Sequence, residues 1–232
     1  SEAREELADL YRTLDRTADE IEQRQILAGL SHDRFVHQRL LALAQARAGD
    51  TSAAVAGLSR TLERAPEDSL VWGTLGQVWL AAATIHEDAT ALPQALRSLE
   101  RAAASAAAPS DMLAAYGRAL AQDGQFQRAE QTLRRALERF PVEPSAFPDY
   151  AEVAVRVGRE ADARQALIDY ETLVGNDARS DDRALKIASL SLDLGDADAA
   201  SVWLTRAAAS PGNEQAAAIN QLRARIERSI SR

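Results

Sequence analysis

The three histidines, His32, His37 and His86, are the side chains of this sequence best suited to proton transfer or metal binding near neutral pH. His32 and His37 lie five residues apart, a spacing that does not bring both to one helix face as i, i+4 would. His86-Glu87-Asp88 is the only local cluster with metal-ligand chemistry, and an exposed polar loop explains it more simply. Asp181-Asp182 and the pair Asp196/Asp198 could supply carboxylates for acid–base work. They stand where helices are expected to start, however, and acidic groups there complement the helix dipole. No Gly-rich phosphate loop followed by Lys and Ser/Thr occurs, nor HExxH, GxSxG or GxGxxG. With no cysteine, disulfides, thiolate catalysis and zinc–thiolate sites are excluded. The expectation is a non-enzymatic chain without catalytic residues, metal or cofactor.

Arginine is the chemistry left over. Of 27 basic residues only Lys186 is a lysine, within a chain of net charge −8. That balance argues against general nucleic-acid binding, which needs clustered positive charge. No run of about 18 apolar residues exists, so no spanning segment is expected. Cytoplasm and periplasm both remain open as compartments, and a start at Ser1 without methionine leaves open a removed signal or anchor.

The elements that must position these arginines are read from spacing. Gly49, Gly124, Gly158 and Gly195 each precede an alanine by five positions: Ala54, Ala129, Ala163 and Ala200. The interval from Gly124 to Gly158 is 34, that from Gly158 to Gly195 is 37, and that from Gly49 to Gly124 is 75. These are units of 34 with three extra residues at Gly175–Ser180 and seven at His86–Leu92. The turn glycine missing from the second unit falls at Ala83. Before each turn comes a large–small pair: Leu41-Ala42, Leu75-Gly76, Tyr116-Gly117, Tyr150-Ala151 and Ile187-Ala188. After it comes a small residue with an apolar one four later: Ala54/Leu58, Ala95/Leu99, Ala129/Leu133, Ala163/Leu167 and Ala200/Leu204. Such i, i+4 pairs share a helix face. Pro66, Pro141 and Pro211 stand where the second helix must end, because proline lacks the amide hydrogen. No segment alternates with the period of two that a strand requires.

Trp72-Gly73-Thr74-Leu75-Gly76-Gln77-Val78-Trp79 reads W-x2-L-G-x2-W. Together with the register above, it resembles the tetratricopeptide repeat, whose unit of about 34 residues begins W-x2-L-G-x2-Y. The resemblance covers residues 35–212 and implies an all-α, right-handed α-solenoid of helix–turn–helix units. Their bounds are 35–68, 69–109 with the seven-residue insertion, 110–143, 144–180 with the three-residue insertion, and 181–212. The fourth and fifth units drift: Tyr170 replaces the usual small residue and Ser191 a large aromatic.

In this family the first helix of each unit lines an inner groove that receives an extended or helical peptide. Positions 5, 9 and 13 of successive units give Arg39, Leu43 and Arg47, then Gly73, Gln77 and Ala81. The third unit gives Ala114, Arg118 and Gln122, and the fourth Pro148, Glu152 and Arg156. The candidate groove residues are Arg39, Leu43, Arg47, Gln77, Arg118, Glu152 and Arg156. Guanidinium forks suit an acidic or C-terminal carboxylate partner, although the same arginines could pair with neighbouring acids. The lysine–asparagine clamp of chaperone-binding members is missing, since Lys186 is alone and Asn176, Asn213 and Asn220 fall elsewhere.

Residues 1–34 and 213–232 flank the array. Ala3, Leu7, Leu10, Leu14, Thr17 and Ile21 form a seam of nearly three heptads. That seam is compatible with a homodimer through the N-terminal helix, with a cap, or with a degenerate repeat in which Leu7-Ala8 and Tyr11 match but Glu20 and Arg24 break the second helix. Asn213 is the expected N-cap of a C-terminal capping helix. The resemblance implies a protein–protein interaction scaffold or adaptor that binds a peptide or protein segment, for example in a bacterial assembly complex. A self-assembling oligomer and an accessory domain of a larger protein are the alternatives.

Overall fold

The computed structural model describes residues 2–30, 34–85, 87–88, 90–175, 180–209 and 216–230. His32, His86 and Asn176 lie outside them, as do the expected helix break Pro211-Gly212 and cap Asn213. The described residues form thirteen helices and no strand. They are α1 (Glu2–Thr13), α2 (Thr17–Leu30), α3 (Arg34–Arg47), α4 (Thr51–Arg64), α5 (Ser69–Ile85), α6 (Ala91–Ala103), α7 (Ser110–Gln122), α8 (Phe126–Leu137), α9 (Ala146–Arg156), α10 (Glu160–Val174), α11 (Ser180–Asp193), α12 (Ala197–Ala207) and α13 (Ala216–Ile230).

Each odd-numbered helix packs on the even one that follows, and each even one on the next odd one. The first helices of the units also touch in a row, α3 to α5 to α7 to α9. The row lapses between α9 and α11 and resumes from α11 to α13. The core is a chain of small-and-leucine contacts along this stack. Ala54, Ala95, Ala129, Ala163 and Ala200 are fully buried, with Leu58, Leu99, Leu133, Leu167 and Leu204 beside them. The large–small pairs let the helices close up: a Cβ added at Gly76 would overlap Leu99, and one at Gly117 would overlap Leu133.

The turns are built alike. At the end of α3, Gly49 has φ +84° and donates its N–H to Ala46 O, while Asp50 N–H reaches back to Gln45 O at 2.9 Å. This pair of bonds satisfies carbonyls that the helix end leaves open. Gly124, Gly158 and Gly195 repeat it in register. So does Asp15, at φ +54°: its N–H meets Arg12 O, and Arg16 N–H meets Tyr11 O at 2.9 Å. Asp15 stands 34 residues before Gly49. The N-terminal segment is therefore a helix hairpin in phase with the array, and the seam expected over Ala3–Ile21 does not run along one helix.

Nor do Glu20 and Arg24 break α2. Counted by the same interval, they occupy the places of Ala54 and Leu58 and are as buried, 1% and 2% exposed. An ion pair replaces the apolar one. Arg24 Nε donates to Glu20 Oε1 at 2.7 Å and Arg24 Nη2 to Asp9 at 3.0 Å, while Arg47 on α3 reaches Glu20 Oε2 at 2.5 Å. Charges buried this deeply persist only when paired.

The second unit departs at the turn. No turn forms at Ala83; α5 runs on to Ile85, Glu87 takes φ +54°, and Asp88 caps the loop by accepting from Thr90 N–H at 2.9 Å. Of the seven residues assigned to an insertion, Ala91 and Leu92 already belong to α6. Much of the extra length goes into a longer first helix. The acidic pairs stand at helix starts where expected. Asp196 accepts from Ala199 N–H at 3.0 Å, as Asp50 does from Ala53 at 3.0 Å, and Asp181 and Asp182 lie in the first turn of α11. The hydrogen bond from Ala199 holds the Asp196 carboxyl below its ordinary value.

Candidate functional site: a cleft between α7 and α9

The helix face expected to form a groove is crossed by polar ties between successive first helices. Arg39 Nε donates to Thr74 Oγ1 on α5 at 2.9 Å, Gln77 Nε2 to Asp111 on α7 at 3.2 Å, and Arg118 Nη1 to Asp149 on α9 at 2.8 Å. Arg47 turns back to Glu20. Leu43 is half-buried within α3, and Gly73 and Ala114 are buried rather than groove-lining. Burial lowers the Arg39 pKa against the opposing pull of Asp111 and Asp68. These side chains join neighbouring units and already hold an acceptor.

Three of the seven candidates meet in one place. Arg118, Glu152 and Arg156 line a cleft of about 540 Å³ together with Ala121, Gln122, Asp149 and Val153, over Phe126 and Leu133. Its two walls are α7 and α9. The turn at Gly124 delivers Phe126 to its end, two residues on, as the first residue of α8. Arg118 closes one side by bridging the walls; besides Asp149 it donates to Ser145 Oγ at 3.1 Å. On the other side Arg156 lies 5.0 Å over the Phe126 ring and 3.4 Å from Glu152. Arg156 and Glu152 are both more than half exposed, and such a pair contributes little by itself.

The electrostatics differ between the two arginines. Burial raises the Asp149 pKa, the Arg118 charge and hydrogen bond pull it down, and Glu152 and Glu143 push it up. Arg118 is thus held by a carboxylate that has lost much of its hydration. Arg156 is held weakly and covers an aromatic ring. The cleft can offer a displaced guanidinium, an aromatic face and an apolar floor to a side chain entering from solvent.

Phe126, Asp149 and Val153 were not among the residues read from spacing. Phe126 carried a signal: two residues after the turn glycine the other units have Thr51, Glu160 and Ala197, so an aromatic there is peculiar to the third unit. Of the histidines, His37 is buried on α3 with Nε2 3.8 Å from Glu5. Tyr170, the large residue where a small one was expected, packs at 6.4 Å from Phe147 and beneath Arg183.

A row of helix hairpins in a 34-residue register, closed by left-handed turns, defines a helical-repeat solenoid. The family model of the tetratricopeptide repeat matches residues 110–153, the third unit and the start of the fourth. Solved structures of repeat proteins share the fold well beyond that stretch. A thermophilic TPR protein of Thermus thermophilus, TTC0263, is 20% identical, with a TM-score of 0.65 over 82% of this chain and 98% of its own. The Pseudomonas aeruginosa pilF protein is 16% identical, with a TM-score of 0.69 over 96% of each chain. YrrB, a TPR protein with an unusual peptide-binding site, is 14% identical, with a TM-score of 0.63 over 86% of this chain and 96% of its own. Comparison with curated protein sequences gives no match. The chain thus shares the fold of tetratricopeptide-repeat proteins, and its residues 110–153 match that family's model. Among its described residues no helix is long and apolar enough to cross a membrane.

Proposed function

We propose that this chain is a non-enzymatic scaffold that holds a segment of a partner protein in the cleft between α7 and α9, within a bacterial assembly complex. The observation that carries the reading is the cleft itself. Its 540 Å³ suit one large side chain with its flanking backbone, and it joins an aromatic ring to a loosely paired arginine. An apolar side chain seats against Phe126, Leu133 and Val153. A carboxylate on the same segment takes Arg156 from Glu152, which gives the partner its acidic character. Arg39, Arg47 and Arg118 then serve as ties between units rather than as ligand contacts. The bacterial sources of the Thermus and Pseudomonas neighbours support the setting, and YrrB supports a peptide as the ligand.

Selection of a phage-displayed peptide library on the whole chain tests this. Selected peptides are expected to carry an apolar residue beside an acidic one, to bind Phe126→Ala at least about tenfold more weakly, and to lose their acidic preference on Arg156→Gln. Peptides that bind Phe126→Ala and Arg156→Gln as well as the parent would refute the cleft. Self-association is a second reading, favoured by Leu10 and Leu14, more than half exposed on the first hairpin. A single monomeric mass by light scattering for both the parent and Leu10→Ser/Leu14→Ser removes it.

A further inference from the structure

Away from that cleft, a smaller pocket of about 160 Å³ lies between α2, α3 and α4. It is lined by Ala28, Phe35, Gln38, Gly57, Arg60, Thr61 and Arg64, with no carboxylate among them. Among the described residues many arginines pair with acids, as Arg24, Arg118 and Arg159 do, but Arg60 and Arg64 do not. Arg60 Nε donates only to Ala56 O on its own helix, at 3.3 Å, and Arg64 has no hydrogen bond or ion pair among the described residues. They stand one helical turn apart on α4 and share a face.

Gly57 is the second observation. It lies inside α4, where glycine weakens a helix relative to alanine. Three residues after the buried alanine, the other units carry Ser98, Thr132, Ala166 and Trp203. Nothing in the packing demands glycine here: an added Cβ would meet only Gln38 Oε1, at 3.5 Å, an ordinary contact. This differs from Gly73, Gly76 and Gly117, whose missing Cβ makes room for Met112, Leu99 and Leu133. At Gly57 the missing side chain opens the floor of a pocket walled by two cations.

We propose that this pocket binds a phosphomonoester group. Two guanidinium forks and the Gln38 amide present donors to a dianion with three oxygens, the chemistry at which arginine exceeds lysine. The volume suits a phosphate with a short carbon stem, and Phe35 and Ala28 give that stem an apolar side. The group belongs either to a phosphorylated side chain of a protein or to a free phosphate ester, since the donors recognise both alike.

Isothermal titration of the whole chain at constant ionic strength tests this with three probes: inorganic phosphate, phenyl phosphate and the peptide Ala-Ala-phosphothreonine-Ala-Ala. The expected result is saturable binding of phenyl phosphate, roughly tenfold or more weaker in Arg60→Ala/Arg64→Ala. Gly57→Leu should abolish it by filling the floor, with melting temperatures showing that both variants fold. Gly57→Ala keeps the test open should leucine unfold α4, and should weaken binding while leaving the helix sound. Tighter binding of the phosphopeptide than of phenyl phosphate assigns the ligand to a protein, and the reverse order to a small ester. No saturable binding of any probe, or unchanged affinity in the double-arginine variant, overturns the proposal. Phe126→Ala leaves this binding intact, because the two sites share no residue.

Discussion

Gly57→Ala and Gly76→Ala make the same chemical change inside two helices and should move stability in opposite directions. The helical gain is common to both: alanine is better than glycine by about 1 kcal/mol in a helix interior. What differs is the space. At Gly57 the new methyl meets one side-chain oxygen at 3.5 Å, so the gain survives, and α4 should become more stable by about 0.5–1 kcal/mol. At Gly76 the methyl would overlap Leu99 Cγ, and the Leu99 backbone nitrogen lies 3.0 Å away. A rotamer change at Leu99 cannot relieve a backbone contact, so α5 and α6 must separate. Leu99 is fully buried, which places the overpacking near the upper end of the usual range, about 3 kcal/mol. Net of the helical gain, Gly76→Ala should cost about 2 kcal/mol. For a chain of this size 1 kcal/mol moves the melting temperature by about 2–4 °C. The expected shifts by circular dichroism are thus about 4–8 °C downward for Gly76→Ala and about 1–4 °C upward for Gly57→Ala. Hydrogen exchange should place the Gly76→Ala loss in α5 and α6 first, since each unit leans only on its neighbours. Shifts of the same sign would refute the claim that the Leu75-Gly76 pair exists for close packing.

The N-terminal hairpin offers a second test. Glu20→Ala leaves the buried Arg24 only its bond to the exposed Asp9 and should cost hairpin stability toward the lower end of the range for a broken buried pair, about 3 kcal/mol. Glu20→Ala with Arg24→Leu restores the apolar pattern of Ala54 and Leu58 and should be neutral or stabilising by about 1–4 kcal/mol, both read by urea denaturation. Asp15→Gly removes a side chain from a left-handed turn and should stabilise the same hairpin by about 1 kcal/mol, seen as slower exchange of the α1 and α2 amides. Asp149 should titrate above the ordinary aspartate value of 3.8 by carbon NMR, because burial outweighs Arg118. Its folded form then binds a proton more tightly than the unfolded chain, so its contribution to stability falls as pH rises from the ordinary value to the raised one. Arg118→Met removes the main opposing influence and should raise the midpoint further; a lower midpoint would contradict the geometry.

Much of the fold was legible because one constraint repeats. A turn needing φ > 0 selects glycine, a close helix crossing selects a small residue, and both recur at the same interval. The first hairpin reads from sequence only as one of three alternatives, a degenerate repeat among them, because it meets those demands with other residues: aspartate at the left-handed position, and a buried ion pair in place of alanine and leucine. Ala83 misled for the opposite reason, since a helix with no breaker simply continues and the turn moves to Glu87. The site was less legible because spacing reports which face a residue occupies, not what holds it there. Arg39, Arg47, Arg118 and Arg156 look equivalent by position. Most of the acids that separate them come from other units: Asp149 on α9, Glu20 on α2 and Asp111 on α7, with Asp68 at the end of Arg39's own unit. An arginine already facing a half-buried carboxylate must break that contact before it can meet a ligand, and the carboxylate is left unpaired when it does. Arg156, more than half exposed and resting on an aromatic ring, breaks only a weak pair. Arg60 and Arg64 break none among the described residues. In both proposed sites, then, the reading of an anionic ligand rests on which arginines the fold leaves weakly paired or unpaired rather than on how many line a face.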